Sequence, residues 1–417
     1  MLLINNIAEL VTFPPGPIPG TQMRNVQRLR DASLLIDGRA ITGFGPHSDV
    51  HAPPGTDVID AAGGCVVPGL IDCHTHAVYA GTRENEFVQR IEGKTYVEIA
   101  ESGGGINASV RGIRSATVDD LVESTLPRLH RMLQAGTTTA EIKSGYGLTV
   151  DDELKMLRAV RQLRDRQPIE LVGTYLAAHT IPREFAGRPD EYLDLVLADE
   201  VFERIKREDL AEFCDVFCER SAFDVDQSRR VLETARRHGL IPRVHADQIT
   251  QMGASRLAAE VGAISADHLE TTDDESIAAL AGAGTIGVLL PACSFFLSVD
   301  QAPARKLIEA DLPIALATDL NPGSSMIESM ALTMSIACTQ MRLTPAEALV
   351  AATANAAAAI NRHNRIGAIA TGMQADLLIL DVPRFDQWAY HVGRNCVRTV
   401  IKAGRVIVDK GMRIPHC

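Results

Sequence analysis

The sequence predicts an α/β fold. A (β/α)8 TIM-like barrel at residues 67–369 is joined to a small β-sandwich domain that both termini, 1–66 and 370–417, build together. Three observations carry this expectation. From about residue 137, short β-branched runs alternate with helical patterns, the mark of repeated strand and helix units in a parallel sheet. One more strand-like run, Gly69-Leu-Ile-Asp-Cys-His-Thr-His76, precedes them and brings the count to eight. The two ends of the chain carry short strands between Gly and Pro clusters, with no long helical period. Eight strands with helical crossovers close naturally into a barrel, and an open doubly wound sheet is the alternative.

In chain order, 32–36 and 57–59 read as strands of the terminal domain. The run ending at His76 is the first barrel strand, and the others are 137–142, 169–176, 215–218, 243–247, 264–269, 285–291 and 313–319. A helix at 226–238 ends at Gly239, after which Leu240 leads into the strand that delivers His245. Thr272-Asp-Asp-Glu275 has the capping-box pattern ahead of Ile277 and Leu280, with Gly282 and Gly284 expected to stop that helix. Short strands return at 376–380 and 397–408.

Composition excludes several classes. With 46% hydrophobic and 23% charged residues the chain reads as an ordinary globular protein. A net charge of −12 repels nucleic-acid phosphates and anionic membranes, so neither is expected as a partner. The Arg-rich stretches 158–166 and 229–237 interleave with apolar residues at helical spacing and read as solvated helix faces. No signal-peptide pattern and no spanning apolar run is seen, which predicts a cytoplasmic protein. The 8 cysteines are scattered and read as buried free thiols. A homodimer is the base-rate expectation for assembly.

The chemistry is carried by polar residues near strand ends. His74 and His76 are two apart, so alternation of side chains along a strand turns both imidazoles to one side. A lone His-x-His is as readily a surface pair. His245, His268 and Asp319, however, each lie near the C-terminal end of a separate predicted strand, and such ends meet at the mouth of a closed barrel. Imidazoles with a carboxylate suit a borderline ion such as zinc, with a position left for water. Such an ion lowers the pKa of bound water to about 7 and polarises a carbonyl, which makes hydrolysis the first reaction class to consider; iron redox chemistry is the competitor.

The run Val67-Pro-Gly-Leu-Ile-Asp-Cys-His-Thr-His76 resembles the first strand of the amidohydrolase superfamily, whose members combine a metal-bearing barrel with a β domain made from both termini. Asn85-Glu86-Phe87, Ser102-Gly-Gly-Gly-Ile106, Glu141-Ile-Lys-Ser-Gly-Tyr-Gly147, His245-Ala-Asp-Gln248, Ser265-Ala-Asp-His-Leu269 and Thr318-Asp-Leu-Asn-Pro-Gly-Ser-Ser325 are similar to the branch that opens an imidazolone ring. The similarity runs from about residue 65 to 380. It implies hydrolysis of 4-imidazolone-5-propanoate to N-formimidoyl-L-glutamate, a step of histidine breakdown, by attack of metal-activated water on the ring amide carbonyl. It further implies one zinc or iron ion per chain, with the ligands falling on His74, His76, His245 and Asp319.

The same resemblance places substrate contacts on Arg83, Tyr96, Tyr146 and His179, with Gln248 near the ring and Asn321, Gly323 and Ser324 in the loop after the last strand. Arg is the side chain best shaped to hold the substrate's carboxylate, and the tyrosines add hydroxyl donors. Read without the resemblance, Arg83 is equally an ion-pair partner of Glu84 or Glu86, and Tyr96 a core aromatic beside Val97 and Ile99. Gly103 to Gly105 lack phosphate-loop spacing and read as a loop over the site. Lys143, where some superfamily members hold a second ion, reads as structural here. Some relatives carry Glu three residues after the third metal histidine. This chain has Gln248, which cannot transfer a proton at neutral pH, so acid-base work falls to His268 and Asp319.

Overall fold

The computed structural model describes residues 1–94, 98 and 104–414. Its centre is an eight-stranded parallel sheet rolled into a barrel. The barrel strands are β1 (Leu70–Asp72), β2 (Thr137–Lys143), β3 (Glu170–Ala178), β4 (Phe213–Cys218), β5 (Ile241–Ala246), β6 (Ser265–His268), β7 (Ile286–Leu289) and β8 (Ile314–Leu316). Each pairs with its neighbour in sequence, in parallel. The ring closes just beyond β1 and β8, where Thr75 bridges Leu320 in parallel. There the His76 amide donates to the Leu320 carbonyl at 2.9 Å and the Asp319 amide to the His74 carbonyl at 3.1 Å.

The strands are buried along both faces, because in a closed parallel barrel one face meets the lumen and the other the outer helices. All seven residues of β2 are buried. The outer helices show the expected amphipathic spacing. In Val225–Arg237, Ser228, Val231, Leu232 and Ala235 face the barrel. Asp224 caps this helix and Gln227 returns the bond to close the capping box.

Both termini contribute to a second, nine-stranded sheet. Leu2–Thr12, Gln27–Asp37, Ala40–Pro46, Asp57–Asp60 and Cys65–Pro68 come from the N-terminal side, and Leu377–Leu380, Val397–Lys402, Arg405–Asp409 and Met412–Arg413 from the C-terminal side. Cys65–Pro68 joins the two sets, pairing in parallel with Leu2–Thr12 and antiparallel with Leu377–Leu380. One apolar cluster runs from Ile4 and Leu10 in this sheet to Leu157 and Leu232 on the barrel.

Several boundaries differ from the sequence expectation for local reasons. The helix expected to begin with a Thr272 box is instead Asp274–Ala283, capped by Asp273, whose side chain accepts from the Ser276 amide. A carboxylate one residue on competes for the same orphan amides. Gly282 lies inside that helix, and Gly284, left-handed at φ 72°, ends it. The stretch 397–408 is a hairpin, because Ala403 and Gly404 both take positive φ and reverse the chain. Pro291 leaves β7 and opens the helix Pro291–Leu297. The Arg-rich helices lie on the surface, where Arg158 pairs with Glu208 and Arg229 with Glu260. Cys65, Cys73, Cys214, Cys218, Cys293 and Cys396 are buried free thiols, and Cys338 is half-buried. Among the described residues no helix is long and apolar enough to cross a membrane.

Candidate active site

At the C-terminal ends of the barrel strands lies a cavity of about 470 Å³. His76, His245, His268 and Asp319 line it together with Arg83 and Arg90. The strand ends bring together side chains that are far apart in sequence. Nε2 of His74 and of His76 lie 3.5 and 3.7 Å from Oδ1 of Asp319. The rings of His74 and His245 are 4.6 Å apart between centroids. Three sets of donors sit within 4.8 Å of one another: His74, His76 and Asp319; His74, His245 and His268; and His76, His179 and His245.

This cluster fits a cation. Buried polar atoms without a hydrogen-bond partner are rare in folded proteins, yet here they include His74 Nε2, His76 Nδ1, both ring nitrogens of His245 and His268 Nδ1. Burial, with the neighbouring imidazoles and Lys143, holds the His74 and His76 imidazoles well below their ordinary pKa, so both carry a free lone pair at neutral pH. Burial also pushes His179 down, to about 3. Neutral imidazole nitrogen and carboxylate oxygen are the donors that zinc and comparable ions take.

Two carboxylates that the sequence reading missed stand behind the histidines. Asp267 on β6 lies 2.6 Å from His74 Nδ1, which turns Nε2 toward the cluster. Asp215 on β4 lies 3.0 Å from His245 Nδ1, without the alignment of a full hydrogen bond. A carboxylate behind a histidine fixes its tautomer and ring plane, as is usual where histidine binds metal. Their sequence signal was weak, since an acid inside a short strand reads as a break in the apolar pattern.

His268 reaches the cavity by an unusual backbone. His268 and Leu269 have φ of 85° and 71°, and Asp319 has φ 51°. Left-handed conformations in residues other than glycine store strain and concentrate at functional sites. Glu270 lies 3.5 Å from His268 Nδ1. Burial opposes the charged imidazole, but Glu270 and then Asp319 outweigh it and raise the His268 pKa. Glu270, two residues beyond His268, was also missed.

The residues expected at the substrate line the same cavity: Arg83, Tyr146, His179 and Gln248, with Asn321, Gly323 and Ser324 from the loop after β8. Tyr96 and Gly103 lie outside the described residues. The ion-pair reading of Arg83 holds together with its place in the cavity, because Glu86 Oε2 takes its Nε at 2.9 Å and its Nη2 at 2.6 Å. His179 Nδ1 bonds the Gly145 carbonyl at 2.9 Å, and its ring stacks on His76 at 5.0 Å. Asn321 uses its side chain within the loop: Oδ1 accepts from the amides of Gly323 and Ser324, and Nδ2 donates to the Asp319 carbonyl.

Comparison with known proteins agrees with this architecture. The model of the amidohydrolase family matches residues 65–407. Curated proteins named imidazolonepropionase, from Geobacillus kaustophilus and Chloroflexus aggregans, are 46% and 47% identical to the chain, with 98% of each chain covered. A crystal structure of an adenosine deaminase from Xanthomonas campestris with bound zinc superposes with a TM-score of 0.72 at 20% identity, covering 100% of this chain and 94% of the other. That likeness speaks to the fold alone. By the extent of the family match and by near-half identity along almost its whole length, the chain belongs to the amidohydrolase family, among its imidazolonepropionases.

Proposed function

We propose that this site hydrolyses 4-imidazolone-5-propanoate to N-formimidoyl-L-glutamate. The observation that carries the reading is near-half identity to imidazolonepropionases over 98% of the chain. A cavity lined by both the histidine and aspartate cluster and Arg83 supports it.

His74, His76, His245 and Asp319 would hold one zinc or iron ion, which when bound supplies an activated water and polarises a carbonyl. Arg83, steadied by Glu86, binds the propionate, and Tyr146 and His179 border the ring. Gln248 orients the ring through its amide. His268 donates to the ring carbonyl oxygen as negative charge develops there. Water adds to the carbonyl carbon while Asp319 accepts its proton, and Asp319 passes that proton to the ring nitrogen as the C–N bond breaks. We also propose a homodimer, on the frequency of twofold assemblies, which light scattering reads directly.

The test is to incubate purified protein with freshly made imidazolonepropionate and follow the loss of its ultraviolet absorbance together with ammonia. Absorbance should fall with no ammonia released, because ring opening expels none. Stable absorbance, or ammonia in step with substrate loss, overturns the reading.

A further inference from the structure

Beneath the histidines sits a cation that no step above uses. Lys143, the last residue of β2, is fully buried. Its Nζ lies 2.9 Å from Asp215 Oδ2, 3.0 Å from Glu141 Oε1 and 3.7 Å from Asp267 Oδ2. Burying an ammonium is costly unless its charge is paired. Here it is surrounded by three carboxylates, all themselves fully buried.

Each carboxylate leads to a different part of the cluster. Asp215 reaches His245 twice, through Nδ1 at 3.0 Å and by accepting from its backbone amide at 3.1 Å. Asp267 reaches His74 Nδ1 at 2.6 Å. Glu141 accepts from the Thr75 amide at 3.3 Å, and its own carbonyl accepts from the Thr75 hydroxyl at 2.7 Å, which fixes the residue between His74 and His76. The Lys143 amide closes the set by donating to the Thr75 carbonyl at 2.9 Å. Asp267 has a second cation, Arg243, at 2.9 Å. Asp215 has no other lysine or arginine within ion-pair distance among the described residues, so the His245 branch depends most on Lys143.

We propose that Lys143 is the positioning residue of the metal site: a built-in cation that ties the supports of His74, His76 and His245 together so that their nitrogens converge. The inference rests on the metal reading above. It concerns geometry, so its signature is metal affinity in the folded protein and not folding alone.

The experiment measures the zinc dissociation constant of the full chain by competition with a chromogenic chelator, beside the melting temperature of the metal-free protein. Lys143→Met and Asp215→Asn should each weaken zinc binding about 10- to 100-fold, the range for losing a supporting residue of a metal ligand. Because Asp215 is one of the three carboxylates through which Lys143 acts, Lys143→Met/Asp215→Asn should bind no more weakly than the weaker single variant, a failure of additivity. Lys143→Gln/Asp215→Asn, which removes both charges and keeps hydrogen-bonding side chains, serves if Lys143→Met does not fold, with an affinity expected at or below that of Asp215→Asn but short of the product of two independent losses. Folded Lys143→Met with wild-type affinity overturns the inference, as do losses that multiply in a double variant. So does Asp215→Asn with wild-type affinity while every Lys143 variant is merely unstable. Wild-type protein that takes up neither zinc nor iron overturns instead the metal reading beneath it.

Discussion

A Cβ built on Gly323 would lie 2.2 Å from Arg83 Nη1, so the missing side chain is what seats the guanidinium. Gly323→Ala should therefore displace Arg83 and raise KM for the carboxylate substrate several-fold while leaving kcat within about twofold. Steady-state kinetics on imidazolonepropionate, beside an analogue without the propionate, separates this from a general loss of activity. Arg83→Met should act more strongly in the same direction, costing roughly 2 to 5 kcal/mol of binding. His268 makes a different prediction. His268→Asn keeps a hydrogen-bonding side chain and removes the imidazole, so kcat should fall about 10²- to 10³-fold, the scale for one donor to a developing oxyanion. KM, metal content and melting temperature should change little. Normal turnover with a lowered melting temperature would make His268 structural, and lost metal would make it a ligand.

The helix Val225–Arg237 lies behind β4 and β5 and is held at its start by the Asp224 and Gln227 capping box. Asp224→Ala should cost about 1 kcal/mol, read as a lower melting temperature with kcat unchanged. How much of such an element is legible in sequence depends on how local its cause is. The helical period and the glycine that follows this helix are local and readable. The choice between Thr272 and Asp273 as a cap turns on one residue of backbone geometry, which composition does not display. The same holds at the site. His74 and His76 follow from alternation along one strand, and Asp319 from its place after an apolar run. His268 faces the cavity beside its neighbour Asp267 because a positive φ breaks the alternation. Asp215, Asp267 and Glu270 acquire their meaning only from partners on other strands or from that bend, and a single strand's pattern carries no record of either.

Across the whole molecule, the base of the barrel and the terminal sheet share an ion cluster. Glu170, at the start of β3, pairs with Arg362 and Arg365, and Lys402 of the terminal sheet lies 3.6 Å away. Burial alone would raise the Glu170 pKa, but the Arg365 hydrogen bond and the charges of Lys402, Arg365 and Arg362 outweigh it and bring it from 4.5 to about 2. A carboxylate whose pKa is depressed on folding contributes stability above its ordinary pKa, and that contribution is lost as pH falls from about 4.5 to 2. Its size is on the order of 3 kcal/mol. Glu170→Gln should lower the melting temperature at pH 6, and the gap to wild type should narrow as pH approaches 2. A gap independent of pH would remove Glu170 from the acid response. Chelation tests the site at the same scale: stripping the metal should abolish turnover and readdition should restore it, and full activity in verified metal-free protein would exclude the ion. The closure of the ring between Thr75 and Leu320 then gains a second meaning. His74 and His76 stand on one side of that seam and Asp319 on the other, so any ion they grip together is a rivet through the joint between the first and last strands. Loading it would clamp a loop of more than two hundred residues at its two ends. The amides of His76 and Asp319, which bond across the seam, should then exchange their hydrogens far more slowly in loaded protein, making the cofactor a fastener of the barrel as well as its reagent.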